Sequence, residues 1–206
     1  LELVENRQFD TVYHEHFSYL SFRTAQRIFA AHGLRLWDVE ALPTHGGSLR
    51  VWACREEAAQ ANTKAVEAML VRESAAGMMD MGWYRGFQQV AEGVKNDFLS
   101  FLIEQKRAGK RVAAYGAAAK GNTLINFAGI RADLIAFVVD ASPHKQGRFL
   151  PGSRIPVVNE DFLRRSMPDY VVVLPWNLYE EIRHQLSYVE SWGGNLVRAI
   201  PTTEIA

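Results

Sequence analysis

The chain has 206 residues, 48% of them hydrophobic and 22% charged, which describes one large or two small globular domains and excludes disordered and collagen-like chains. Its 23 basic residues match its 23 acidic ones, so nothing draws it generally to nucleic acid or to an anionic membrane surface. One cysteine, Cys54, excludes an intrachain disulfide and a cysteine-based zinc site, and no apolar run is long enough to span a membrane; a cytoplasmic location is expected.

The first residues, Leu1-Glu-Leu-Val-Glu5, have neither a basic region nor an apolar core, so they do not read as a signal peptide. They read as the end of a helix within a longer protein. Residues 9–20 are dense in aromatic and titratable groups, which predicts an extended segment or loop. Ser21 caps a predicted helix over 22–32, and Gly33 ends it. Alternating apolar residues over 34–40 and 48–53 flank a Pro-Thr-His-Gly-Gly turn and predict a hairpin. Residues 62–77 read as a helix.

The apolar stripe Trp83, Phe87, Val90, Val94, Phe98, Phe101 and Leu102 predicts one long helix over 81–107, which we expect to bridge two halves. After it the rhythm changes. Strand patterns at 111–115, 134–139, 155–158, 170–174 and 195–197 alternate with helical ones. That alternation predicts an α/β fold with a parallel, Rossmann-like sheet. The expected organisation is a hairpin-containing catalytic segment over 1–80, the bridging helix over 81–108, and a Rossmann-like domain over 109–206.

Between the first of these strands and the next helix lies Gly116-Ala-Ala-Ala-Lys-Gly121-Asn122. Free amides at a helix start favour an anion. The nucleotide-hydrolase loop needs Gly-Lys-Ser/Thr, and here Lys120 precedes Gly121. The dinucleotide fingerprint needs glycine where Ala118 stands. Asp140 follows the second strand, where a Rossmann acid meets ribose hydroxyls. A tight turn with a solvated Lys120 fits the residues equally well.

Tyr13-His14-Glu15-His16 concentrates titratable groups in four positions. Three readings stand open from the residues alone: a metal site, acid–base chemistry, or ordinary polar groups. A histidine tuned by a carboxylate, beside a tyrosine hydroxyl, is a set suited to proton abstraction.

Several stretches, taken together, resemble one family. They are Phe9-Asp10-Thr11-Val12-Tyr13-His14-Glu15-His16-Phe17-Ser18-Tyr19, Thr44-His45-Gly46-Gly47-Ser48-Leu49-Arg50, Tyr115-Gly116-Ala117-Ala118-Ala119-Lys120-Gly121-Asn122, Val139-Asp140, Pro143-His144-Lys145-Gln146-Gly147, Pro151-Gly152 and Leu174-Pro175-Trp176-Asn177. In this order they are similar to the sugar C-methyltransferases, which act on nucleotide-linked 4-keto deoxysugars. Members of that family have a zinc module, an S-adenosylmethionine domain and a C-terminal domain for the nucleotide sugar. This chain is similar to the last part, so no S-adenosylmethionine and no metal are expected on it, and no activity from it alone.

The resemblance implies a mechanism. A base removes the proton beside the C4 ketone, and the enolate carbon takes the methyl group. His16 is then the expected base, Glu15 orients or tunes a neighbour, Tyr13 donates to substrate, and His14 is structural. Gly46, Gly47 and Ser48 are expected to line the sugar pocket, with Arg50 facing a diphosphate or making a salt bridge. Gly116, Lys120 and Asn122 are expected at the diphosphate, and Asp140 and Lys145 at the sugar or base. Trp176 is expected to pack. The expected partner is a nucleotide-diphosphate sugar, thymidine-linked. Two competing readings are a non-catalytic nucleotide or coenzyme A module, and a nicotinamide oxidoreductase, against which Ala118 argues.

Overall fold

The computed structural model describes residues 1–205. They fall into two compact units, one of Leu1–Glu5 with Glu15–Gln88 and one of Asn6–His14 with the residues from Gln89 onward.

The first unit begins with a short helix, α1 (Glu2–Glu5), whose two glutamates both accept from Arg72, at 2.6 and 3.0 Å. Helix α2 (Phe22–Ala30) starts where the sequence placed it, because the Ser21 hydroxyl accepts the Thr24 amide at 3.0 Å. Gly33, at φ +68°, turns the chain into strand β1 (Leu34–Leu42). Strand β2 (Ser48–Arg55) pairs with it antiparallel, from Leu42 opposite Ser48 to Leu34 opposite Arg55. Helix α3 (Lys64–Ala75) packs on this hairpin, and Phe22, Leu36, Val39 and Val66 make the core. Glu73 of α3 is buried there, and its carboxylate accepts the Phe22 and Arg23 amides at 2.6 and 3.0 Å. Two otherwise orphaned donors of α2 are thus satisfied from a neighbouring helix.

The helix expected over 81–107 is interrupted. Helix α4 (Met81–Arg85) stops at Gly86, and helix α5 (Phe87–Arg107) follows. Gly82 and Gly86 lie one turn apart, and two glycines on one edge weaken helix formation there. The 21 residues of α5 reach roughly 30 Å rather than the roughly 40 Å of an unbroken helix. Its buried face, Val94, Phe98, Phe101 and Leu102 with Ala91 added, is the later part of the stripe read from the sequence; Trp83, Phe87 and Val90 are only half-buried.

The second unit holds a six-stranded sheet of β3 (Val112–Tyr115), β4 (Val138–Val139), β5 (Val157–Val158), β6 (Tyr170–Val173), β7 (Asn195–Arg198) and β8 (Glu204–Ile205). The spatial order is β5-β4-β3-β6-β7-β8. The first five strands run parallel, and β8 adds antiparallel to β7, a strand the sequence did not suggest. Counted from β3 this is the doubly wound order, which confirms the Rossmann-like α/β expectation. Helices α6 (Ala119–Phe127), α7 (Glu160–Ser166) and α8 (Tyr179–Gln185) connect the strands. Val171, Val172 and Val173 of β6 are all buried, as a central strand covered on both faces requires.

Candidate functional site

In a doubly wound sheet the chain leaves β3 to one side and β6 to the other, so a crevice opens between their carboxyl ends. Gly116 follows β3, and Leu174-Pro175-Trp176-Asn177 follows β6. The two ends lie tightly together. A Cβ on Gly116 would fall 2.4 Å from Pro175 Cγ, and one on Gly121 2.6 Å from Leu174 Cβ. These glycines are therefore needed for close packing of the two strand ends. The Gly116 amide is itself committed, donating to the Val139 carbonyl at 2.7 Å.

Helix α6 starts at this crevice. Its cap residue is Ala118, which has no side-chain acceptor for the helix amides, and the first helical bond is Asn122 N–H to the Ala118 carbonyl at 3.0 Å. Lys120 sits in the first turn and is buried. Its ammonium lies 4.5 Å from the centre of the Trp176 ring and donates to Asn177 Oδ1 at 3.3 Å. Burial holds this amine below the usual lysine range, and the charge of Asp10 partly restores it. The Asn122 side-chain oxygen is buried, with no hydrogen-bond partner among the described residues.

Asp10 is the acid at this site. It stands in a short 3-10 turn, Phe9–Thr11, and is fully buried. The Trp176 indole N–H donates to its Oδ2 at 2.8 Å, while Oδ1 has no hydrogen-bond partner among the described residues. Burial pushes the Asp10 carboxyl up to about 6; the indole bond and Lys120 pull the other way. Phe9 packs against Phe127 of α6, ring centres 5.2 Å apart, and Lys95 of α5 lies over the far partner of that pair. The Phe9–Thr11 turn, which ends two residues before Tyr13, is thereby fastened to the segment that follows β6 and to α6.

Asp140 and Lys145, expected to touch ligand, are engaged with the chain itself. Asp140 Oδ2 accepts the Ala117 amide at 2.8 Å and the Lys145 ammonium at 3.0 Å, and Oδ1 accepts the Ser142 amide at 2.9 Å. Lys145 also donates to the Ala117 carbonyl at 2.9 Å. Together they clamp the loop after β3.

The Tyr13–His16 stretch is non-helical, and its parts belong to different units: Tyr13 and His14 to the second, Glu15 and His16 to the first. Tyr13 is half-buried, and His14, Glu15 and His16 are exposed. The rings of Tyr13 and His14 lie 6.4 Å apart, as do those of His16 and Tyr19 at 6.1 Å. In the first unit, Thr44–Gly46 form the hairpin turn. Gly46 and Gly47 hold φ +89° and +121°, and the Ser48 hydroxyl donates to the Thr44 carbonyl at 2.9 Å. Arg50 lies opposite Glu40 and forms the salt bridge that the sequence left as one of its two roles, at 3.2 Å.

Residues 43–201 match the family model of the C-methyltransferase C-terminal domain. The chain belongs to this family. It is 37% identical over all its 206 residues to C-methyltransferase NovU of Streptomyces niveus, and spans 49% of that protein's length. The family resemblance read from the separated motifs is thus correct. In this C-methyltransferase domain no group of three or more His, Cys, Asp and Glu residues is placed to hold a metal ion, among the described residues. Nor is any described helix long and apolar enough to cross a membrane.

Sequence reasoning missed Asp10, although it lies inside one of the motifs quoted for the resemblance. An acid between Phe9 and the apolar Val12 was the available signal: a carboxylate in apolar company needs a partner. Trp176, read as a packing residue, also carries polar contacts on its edge and its face. Nothing in the local sequence marks Glu73, whose partners lie about fifty residues away.

Proposed function

We propose that this chain is the nucleotide-sugar side of an S-adenosylmethionine-dependent C-methyltransferase acting on a nucleotide-linked 4-keto deoxysugar in the cytoplasm. The observation that carries this reading is the fastening of Phe9–Thr11 at the carboxyl end of the sheet. It ties Phe9–Thr11, with Tyr13 and His14 following it in the same unit, to the crevice where doubly wound sheets bind ligands. A non-catalytic nucleotide module has no need of that attachment.

S-adenosylmethionine supplies an electrophilic methyl group. Among the described residues, the turn after β3 does not make a cradle for it: Pro175 fills the space beside Gly116, and the chain's own donors take both Asp140 oxygens. We therefore assign it to the rest of the protein, in keeping with a relative twice as long, and no step below runs through it. Lys120, Asn122 and the uncapped start of α6 take the diphosphate, thymidine-linked by the family's chemistry. Gly46, Gly47, Ser48 and Arg50 line the sugar pocket. His16 removes the C3 proton, Glu15 orients or tunes a neighbouring side chain, and Tyr13 donates to the oxygen that gains charge as the enolate forms.

In the intact enzyme, His16→Ala is expected to lower turnover by about 10²–10⁴-fold with sugar-nucleotide binding nearly unchanged. Without methyl donor, the wild type washes the C3 proton into deuterated water, and the His16 variant does not. Normal exchange in that variant, with loss in His14→Ala, moves the base to His14. Normal exchange in both removes the base from this stretch. The 206-residue chain alone is expected to bind thymidine diphosphate and to turn over no S-adenosylmethionine.

A further inference from the structure

We propose that Asp10 is a positioning residue of the anion site: through the Trp176 indole it fixes the ring against which the Lys120 ammonium rests, and so aims that ammonium at the ligand's diphosphate. The proposal rests on the assignment of Lys120 to the diphosphate and extends it to a residue to which the sequence had given no role.

Three observations converge on it. The first is the length of the tie. Asp10 and Trp176 are 166 positions apart, so the bond closes only when the second unit is folded. The second is its orientation. The indole has one N–H, and Asp10 accepts it, which fixes the ring's rotation and leaves its face for the cation. A carboxylate at the N–H edge also draws that proton's positive charge away from the ring, which favours a cation over the face. The third is the cation itself. Lysine has a flexible four-carbon stem, and a buried ammonium needs restraint to hold one direction. The Trp176 face at 4.5 Å and Asn177 at 3.3 Å supply restraint from neutral groups.

Burial alone does not require this arrangement. A carboxylate kept only to hold the Phe9–Thr11 turn would have both oxygens satisfied, as Asp140 has, whereas Asp10 uses one. Lys120 is the charged group facing Asp10 from α6, and the turn after β6 presents only the uncharged Trp176 and Asn177.

The test is a double-mutant cycle on the 206-residue chain, with thymidine diphosphate as probe and calorimetry as readout. Lys120→Ala is expected to weaken binding by roughly 10–100-fold, as for a charged hydrogen bond. Asp10→Ala is expected to weaken it by about 5–10-fold. In the Lys120→Ala background, Asp10→Ala should add less than about twofold, because it acts through a group already removed. Asp10→Asn, which keeps an acceptor for the indole, should recover most of the lost affinity.

Additive losses would overturn the positioning role while leaving the diphosphate site intact. Unchanged binding in Lys120→Ala would remove the site itself. If Asp10→Ala does not fold, Trp176→Phe breaks the same tie and keeps an aromatic face. Its loss should likewise vanish in the Lys120→Ala background, and an additive loss there would sink the proposal.

Discussion

Each unit buries a carboxylate almost completely, Glu73 in the first at 1% exposure and Asp10 in the second at 0%. Glu73 gives its two oxygens to two amides at the start of α2. Asp10 gives one oxygen to an indole and has the other without a hydrogen-bond partner among the described residues, with a cation nearby. The first acid completes a helix cap that Ser21 begins. The second carries an unmet demand, the condition under which a carboxyl's protonation shifts and under which a buried polar group needs a reason to exist. Burial by itself does not separate structure from function; the state of the second oxygen does.

The sharpest way to break this comparison is Glu73→Ala. It leaves the Phe22 and Arg23 amides unsatisfied and empties a buried volume, and we expect a loss of about 2–4 kcal/mol in thermal or urea unfolding. A loss below about 1 kcal/mol would mean that water caps α2 well enough. Asp140→Ala is the control inside the second unit. It removes the acceptor of two backbone amides and of Lys145, and about 2 kcal/mol should go.

Asp10→Asn should act in the opposite direction. Folding raises the Asp10 carboxyl from 3.8 to about 6, so the folded state holds that proton more tightly than the unfolded one. The group therefore favours folding below about pH 4, and that contribution is lost as pH rises through about 6. Asparagine carries no charge to desolvate, so the variant should be more stable at pH 7.5 by about 1–2 kcal/mol, with the advantage gone near pH 4. Melting temperatures measured across pH 4–8 check both the sign and the window. The smallest effect is expected at the surface. Arg50→Ala breaks an ion pair whose side chains are 57% and 49% exposed, and stability should change by less than about 0.5 kcal/mol. Its effect on nucleotide-sugar binding in the intact enzyme tests the pocket role independently.

Much of the fold was legible because it is written in local periodicity. The Ser21 cap, the hairpin around the Thr44–Gly46 turn, the apolar stripe of α5 and the alternation of strands and helices each depend on residues within a turn or two of one another. Where two local signals competed, the sequence misled: the stripe from Trp83 to Leu102 ran across Gly86, with Gly82 one turn before it, and the backbone preference of glycine split the helix. Strand β8 was invisible because Pro201-Thr-Thr-Glu-Ile205 lacks the apolar run that marked the equally short β4 and β5.

The sequence by itself determined the family, since separated motifs in a fixed order survive without any knowledge of their placement, and it determined which titratable and polar residue types the domain carries. Only the tertiary structure decided which of them meet. Strand order brought the ends of β3 and β6 together and made Gly116 and Gly121 packing necessities. It turned Asp140 and Lys145 inward as a clamp, and it joined Asp10 to Trp176 across 166 positions. The reason is physical. A hydrogen bond or a ring face acts over a few ångströms of space, and sequence separation does not measure that distance until the chain has folded.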